Sequence, residues 1–160
     1  MDTKINLNSH SNASLNSVIK TLNTSAQRPF ELSTPIPAAV NHSIEFYNHE
    51  QEQIFNKEWI CIGRSDELTA TGDYITHEIA GTPILVVRQE NNQILGFVNA
   101  CAHRFTCLVP KSSGNAFAFT CPNHAWTYAL DGTLKHAPFM EMKNGFDKKE
   151  HHLTPLHTEI

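Results

Sequence analysis

From Trp59 onward, short apolar runs rich in β-branched and aromatic residues alternate with groups of turn residues. Such runs are typical of strands, and their regular spacing predicts an antiparallel all-β body, a small β sandwich or barrel. Asp131-Gly132 is a strong signal for a two-residue hairpin turn, and Ser112 to Asn115 is also predicted to be a turn. The predicted strands are Trp59–Gly63, Asp73–Ile79, Ile84–Arg88, Ile94–Asn99, Ala116–Thr120, Trp126–Leu130 and Thr133–His136.

A short helix is predicted before the first strand. Asn48, with Gln51 three residues later, has the form of a capping box at a helix start. Ile54 and Phe55 supply an apolar side that can dock onto a core. We therefore expect a helix over residues 49–57.

Residues 1–42 differ from the rest of the chain, because they are rich in Ser, Asn and Thr and carry Pro near their end. Such a composition buries too little apolar surface to offset the entropy of ordering. We interpret residues 1–42 as a flexible arm and residues 43–160 as the folded domain. The functional alternative is an arm that wraps a neighbouring subunit, since such segments can order on binding.

Composition limits the classes of function. The 160 residues fit one domain, and an apolar content of 40% can build a core over most of that length. A net charge of −4, with scattered Lys and Arg, argues against a nucleic-acid partner. The longest aliphatic run, Ile84 to Val87, is too short to span a bilayer, and no signal peptide is evident. We expect a soluble, cytoplasmic protein with no membrane partner.

Two short motifs combine sulfur and imidazole groups. Cys101-Ala102-His103 is followed, after seventeen intervening residues, by Cys121-Pro122-Asn123-His124. One sulfur and one nitrogen from each loop suit an asymmetric two-metal cluster, because in a Rieske 2Fe-2S centre two Cys hold one iron and two His hold the other. A single zinc ion is an alternative, although the Cys-x-His spacing is shorter than zinc sites use. The other alternative is no metal, with both Cys as core residues.

These motifs and their flanks resemble the Rieske segment of the alpha subunits of Rieske non-haem iron ring-hydroxylating oxygenases. The matching residues are Asn99 to Arg104 and Cys121 to Gly132, where the His-Arg pair and the Trp-Thr-Tyr and Leu-Asp-Gly groups occur together. The His-Ala-Trp-Thr form is similar to members that act on carnitine and other quaternary amines. The resemblance extends from about Phe46 to the last residue.

The resemblance implies a function in electron transfer. It implies a 2Fe-2S cluster held by Cys101, His103, Cys121 and His124, reduced by an NAD(P)H-dependent flavin or iron–sulfur reductase or by a ferredoxin. Electrons then leave through His124, by way of an aspartate, toward a mononuclear non-haem iron in a neighbouring subunit of a homotrimer. That iron activates O2 for hydroxylation or demethylation.

Three features depart from the family pattern. Phe105 stands where the family usually has Gly, and Asn123 where it usually has Tyr or Phe, so the potential and the partner contacts are expected to differ. The third is length, since related subunits continue for more than twice this length through a catalytic domain with two His and one carboxylate. We expect an N-terminal fragment that ends before the closing strand of the Rieske domain and cannot hydroxylate by itself. A free-standing Rieske ferredoxin is the alternative, although ferredoxins usually lack the arm and helix.

The remaining cysteines are not expected to form a disulfide framework, since Cys61 and Cys107 are far apart in sequence. High-potential respiratory Rieske proteins link their two cluster loops through an extra Cys in each loop, the second lying between its Pro and its His. Asn123 occupies that position here, so Cys107 has no evident partner. The resemblance therefore implies a low-potential centre in a reducing compartment.

Several other histidines are interpreted as having no metal role. His77 shares a strand parity with Ile75 and Ile79, which favours a core or edge residue over a ligand. The histidines near the end of the chain lack a carboxylate at a known ligand spacing. They are His136, His151, His152 and His157.

Overall fold

The structure is a computed structural model that describes residues 13–140 and 142–160. It contains two compact units, one ending at Ile60 and the other spanning Cys61–Ile160. The first unit is helical, and the second carries the strands and both Cys-His motifs. In the part of the chain that the structure describes, no helix is both long enough and apolar enough to cross a membrane.

The larger sheet of the second unit is antiparallel, with its strands in the order β4-β1-β2-β3-β8. Its strands are β1 Asp73–Ile79, β2 Thr82–Arg88, β3 Ile94–Val98, β4 Ser113–Asn115 and β8 Pro155–Leu156. The aliphatic run of β2 is buried on both faces, because successive residues of a strand point to opposite sides. Leu85 and Val87 join the main core, whereas Val86 joins a second cluster with Leu68 and Ile75.

The smaller sheet has the strand order β5-β6-β7. Its strands are β5 Phe119–Thr120, β6 Thr127–Tyr128 and β7 Leu134–His136. Phe119, Tyr128 and Leu134 of this sheet share the main core with buried residues of the larger sheet. The predicted all-β fold class is therefore confirmed.

The predicted hairpin at Asp131-Gly132 is confirmed, but its loop is longer than two residues. The strands end at Tyr128 and resume at Leu134, and Gly132 N donates a hydrogen bond to Ala129 O (3.0 Å). Gly132 has a φ of 80°, and a Cβ there would lie 2.6 Å from an atom of the Phe97 ring. Only glycine satisfies both the backbone conformation and the close approach of that ring.

The predictions from the sequence pattern are wrong at two segments and miss one strand. Residues 59–63 form no strand, and Trp59 is 67% exposed. Residues 113–115, predicted as a turn, form β4 because their backbone pairs with β1, as between Gly114 and Tyr74. The strand β8, which the sequence pattern did not predict, pairs with β3 near the end of the chain. The expectation that the chain ends before the closing strand stays a prediction.

The predicted helix exists but begins earlier than expected. Helix α2 spans Ile44–Glu50 and continues as a π-helical turn over Gln51–Phe55. Ser43 caps it in place of Asn48, since its Oγ accepts a hydrogen bond from Phe46 N (3.2 Å). Phe46 is the buried residue of this helix, so the helix has to include it.

Helix α1, Leu15–Ala26, lies within the predicted arm. Leu15, Val18, Ile19 and Leu22 follow a helical period in an otherwise polar segment, and Val18 is buried. Leu15 N also donates to Glu45 Oε2 of α2 (2.8 Å). The predicted flexible arm therefore contains a regular helix, and short 3-10 turns follow at Phe30–Leu32 and Ala38–Asn41. Residues 1–12 of the predicted arm lie outside the described residues, so their flexibility stays a prediction.

Candidate metal centre

The first motif lies in a tight loop after β3, which we call the Cys101 loop (residues 101–106). Cys101 N donates to Thr106 O (2.9 Å), and Phe105 N donates to Cys101 O (2.8 Å). Phe105 has a φ of 55°, in the left-handed region that costs a side chain about 1 kcal/mol. Its ring is 80% exposed, so Phe105 places an aromatic ring in solvent at the loop's surface.

The second motif lies in a loop of the same backbone design after β5, which we call the Cys121 loop (residues 121–126). Cys121 N donates to Trp126 O (2.8 Å), and Ala125 N donates to Cys121 O (3.1 Å). These bonds have the same residue offsets as in the Cys101 loop, and Ala125 also has a positive φ, 57°. Each Cys backbone is therefore fixed by its own loop.

A buried asparagine supports the Cys101 loop. Asn99 is 2% exposed, and its Oδ1 accepts from Val109 N (2.9 Å) while its Nδ2 donates to Val109 O (2.7 Å). The two bonds join the segment before the loop to the segment after it. Because the amide group of Asn99 is satisfied on both sides, its burial is favourable.

The two thiols lie together in the main core. Cys101 and Cys121 are 1% and 3% exposed, and neither forms a disulfide. Burial raises the pKa of Cys101, and the hydrogen-bonded Cys121 beside it raises that pKa further. Two adjacent buried thiolates need a cation to balance them, as a metal centre provides.

Tyr128 connects β6 to the Cys101 loop. Its hydroxyl lies 3.2 Å from Cys101 Sγ and accepts a hydrogen bond from Ala102 N (3.0 Å). Burial raises the pKa of the Tyr128 phenol, and its hydrogen bond with Cys101 raises it further. The phenol therefore stays protonated and can donate a hydrogen bond to a metal-bound thiolate sulfur, which carries no proton.

The two histidines lie closer to solvent than the two cysteines. The rings of His103 and His124 are 4.7 Å apart between centroids and cross at 81°. His103 Nδ1 is buried and has no hydrogen-bond partner among the described residues, whereas His124 is exposed. Burial lowers the pKa of His103, and His124 and Arg104 lower it further. The ring is therefore neutral at pH 7, with a nitrogen available to a metal.

An aromatic group covers the inner side of His103. The Trp126 ring stacks on the His103 ring at 4.9 Å and 13°. Phe146 and His151 then pack edge-on against Trp126, at 5.7 Å and 5.5 Å. Trp126 is 2% exposed, so this side of the imidazole is closed to water.

The four candidate ligands are arranged as a sulfur pair and an imidazole pair. Across residues 13–140 and 142–160, no three His, Cys, Asp or Glu side chains are grouped so that they could hold one metal ion. A zinc site, which needs its ligands around a single centre, therefore fits poorly. The separate pairs and the unpartnered His103 Nδ1 fit a Rieske 2Fe-2S cluster.

Comparison with known proteins agrees with this chemistry. A family model described as the Rieske [2Fe-2S] domain matches residues 58–147, more than half of the chain. The chain belongs to the Rieske [2Fe-2S] domain family. The predicted resemblance is therefore confirmed, and the expected cofactor is that of the family.

This Rieske domain is similar to those of oxygenase subunits. The carnitine monooxygenase oxygenase subunit of Acinetobacter baumannii is 36% identical over 129 residues, which cover 81% of this chain and 35% of that protein. The quaternary ammonium Rieske monooxygenase CntA with gamma-butyrobetaine has a TM-score of 0.70 at 38% identity, covering 77% of this chain and 35% of that one. Naphthalene 1,2-dioxygenase from Rhodococcus sp. has a TM-score of 0.76 at 28% identity, covering 89% and 32%. The chain thus spans about a third of the length of these relatives.

The structure also locates residues outside the four candidate ligands. His77 is exposed on β1 rather than in the core. His151, predicted to be a tail residue, packs against Phe146 and Trp126 of this Rieske domain. Sequence reasoning missed the roles of Trp126 and Tyr128 beside the ligands. Trp126 and Tyr128 lie two residues apart shortly after the second motif, and in a strand this spacing points both side chains to one face. This spacing was the sequence signal for their roles.

Proposed function

We propose that this chain is the electron-transfer part of a Rieske oxygenase alpha subunit, in which Cys101 and Cys121 hold one iron and His103 and His124 the other. The main support is the geometry of the two pairs: adjacent buried sulfurs, and crossed imidazole rings with an unpartnered His103 Nδ1. When bound, a Rieske cluster supplies one-electron transfer at a potential set by ligation and hydrogen bonding.

The surrounding residues would serve this function in distinct ways. The core around Cys101 and Cys121 keeps water from the sulfur side. Tyr128 supplies a hydrogen bond to Cys101 Sγ, which favours the more negative, reduced state of the centre. His124 is exposed, so its ring offers the short path to a partner that electron exchange requires.

The likeness to oxygenase subunits supports proposals about partners. An NAD(P)H-dependent flavin or iron–sulfur reductase, or a ferredoxin, would supply the electron. The acceptor would be a mononuclear iron in a catalytic domain, with the subunits assembled as a homotrimer. The relatives described as carnitine and glycine betaine monooxygenase subunits, each 36% identical to this chain, support a quaternary amine as the substrate of the whole protein.

Spectroscopy of ligand variants tests this proposal. The purified chain, reconstituted with iron and sulfide, should be red-brown and should bleach with dithionite. The reduced form should give a 2Fe-2S electron paramagnetic resonance signal with couplings from imidazole nitrogen. Cys121→Ser and His124→Ala should each abolish the Rieske spectrum, because each removes a ligand.

The matched control is His77→Ala, which removes an exposed histidine from β1 of the same unit. This variant should keep the full spectrum. A wild-type signal without nitrogen coupling, or an unchanged spectrum in His124→Ala, would overturn the ligand assignment.

A further inference from the structure

The two cluster loops are joined by a side-chain hydrogen bond at their outer rim. Asn123 Nδ2 of the Cys121 loop donates to Thr106 Oγ1 of the Cys101 loop at 2.7 Å. Asn123 directly precedes His124 in the chain. The bond therefore lies beside a candidate ligand and spans the gap between the two loops.

The backbones at Thr106 and Asn123 are each fixed by their own loop, independently of this side-chain hydrogen bond. Thr106 O accepts from Cys101 N, and Asn123 lies inside the turn that Ala125 N closes by donating to Cys121 O. Fixed backbones on both sides lower the entropy lost when the two side chains pair. An exposed hydrogen bond that competes with water is worth forming in such a preorganised setting.

The neighbouring cysteine does not supply this link. Cys107 follows Thr106 and is a free thiol. Its Sγ lies 3.6 Å from Val109 O and 3.7 Å from Asn99 Nδ2, both on its own side of the centre. The described side chains therefore connect the loop rims through an amide and a hydroxyl rather than through sulfur.

We propose that Asn123 and Thr106 are positioning residues that clamp the two loops together and so fix the crossing of the His103 and His124 rings. This inference rests on the proposed function, since the clamp acts on residues that would hold the cluster. Without it, each loop keeps its own backbone hydrogen bonds but moves relative to the other. The rings of His103 and His124 then separate more often, and the cluster is lost faster.

Thr106 permits a sharp test, because two small substitutions separate its hydroxyl from its shape. Thr106→Val keeps the shape and removes the hydrogen-bond acceptor, whereas Thr106→Ser keeps the hydroxyl. The reconstituted chain is incubated with excess EDTA, and loss of the visible spectrum is timed. Thr106→Val should lose the cluster about fivefold faster than wild type, the factor expected for one hydrogen bond. Thr106→Ser should match wild type.

A double-variant cycle shows whether the two residues act through each other. Asn123→Leu should also be about fivefold faster, and the combination with Thr106→Val should be no faster than either single variant. The electron paramagnetic resonance signal of the reduced centre should shift alike in Thr106→Val and Asn123→Leu, whereas far-UV circular dichroism should not change.

Failure of the clamp and failure of the proposed function give different results. Equal rates in Thr106→Val and Thr106→Ser, or multiplied rates in the double variant, would overturn the clamp. If those results appear alongside a normal wild-type Rieske spectrum, the electron-transfer proposal stands. A wild-type chain with no Rieske spectrum would instead overturn the proposed function.

Discussion

At the scale of single residues, the hydroxyl of Tyr128 is predicted to tune the potential of the centre. Tyr128→Phe removes the donor to Cys101 Sγ but keeps the fully buried ring. Loss of a hydrogen bond to sulfur disfavours the reduced state, so the potential should fall. A bond worth about 1 kcal/mol corresponds to roughly 40 mV for one electron. A redox titration followed by visible circular dichroism measures the shift.

Tyr74→Phe is the control for this measurement. Tyr74 is also a buried core tyrosine, packed edge-on against Phe119, and its loss of a hydroxyl should leave the potential unchanged. Equal potentials in wild type and Tyr128→Phe would contradict the prediction. Equal shifts in both tyrosine variants would point to a general loosening of the core instead.

Residue-level chemistry was predictable where it is local in sequence. Cys101 with His103, and Cys121 with His124, are short motifs whose ligand types are visible without a fold. The contact of Tyr128 with Cys101 and the bond from Asn123 to Thr106 were not predictable. Both join distant segments, and only the packing of the two sheets brings those segments together.

At the scale of elements, Asp73 is predicted to stabilise the start of β1 in a pH-dependent way. Its Oδ2 accepts from Ala70 N (2.7 Å) and Thr69 N (2.9 Å), and its Oδ1 accepts from Asn115 Nδ2 of β4 (2.8 Å). The hydrogen bond from Ala70 N, followed by that from Asn115, holds the pKa of Asp73 below its ordinary value. The group therefore stabilises the fold above the unfolded pKa, about 4, and this contribution is lost as the pH falls through the lower folded pKa.

Asp73→Asn should therefore lower the urea midpoint at pH 7, and its difference from wild type should shrink as the pH falls to about 3. Tryptophan fluorescence can follow the unfolding. Glu78→Gln removes the same charge from an exposed position on β1. It is the control for any loss of stability at low pH that comes from release of a bound cluster rather than from Asp73. A difference between Asp73→Asn and wild type that stays constant with pH would contradict the prediction.

Elements were predictable from sequence where burial gives a clear period. β1 has the predicted bounds, and β2 and β3 differ from prediction by at most two residues at an end. β4 and β8 were missed because each is short and depends on backbone pairing with a neighbouring strand. The start of α2 was misplaced because two plausible caps lie close together, and burial of Phe46 selects Ser43.

At the scale of the whole molecule, the second unit places its two cluster loops where strands of different sheets end. β3 leads to the Cys101 loop and β5 to the Cys121 loop. The shared core packs the two sheets through Tyr128, Leu85 and Phe97, so the strands that lead into the loops are held by rigid elements. This arrangement suits electron transfer, because the ligand geometry changes little between redox states when its supports are rigid.

Without an added catalytic domain, the chain is predicted to accept electrons but not to oxygenate a substrate. Mixed with NADH and an oxygenase reductase, it should bleach as its cluster is reduced, yet form no hydroxylated or demethylated product from carnitine. The reason is that the proposed function gives this chain the electron-transfer centre, whereas oxygen activation in such enzymes needs a separate two-His, one-carboxylate iron site. Mass spectrometry of the mixture measures product, with Cys121→Ser as the background and a complete carnitine monooxygenase as the positive control. Carnitine-dependent product above the Cys121→Ser background would show that the chain contains an oxygen-activating site of its own.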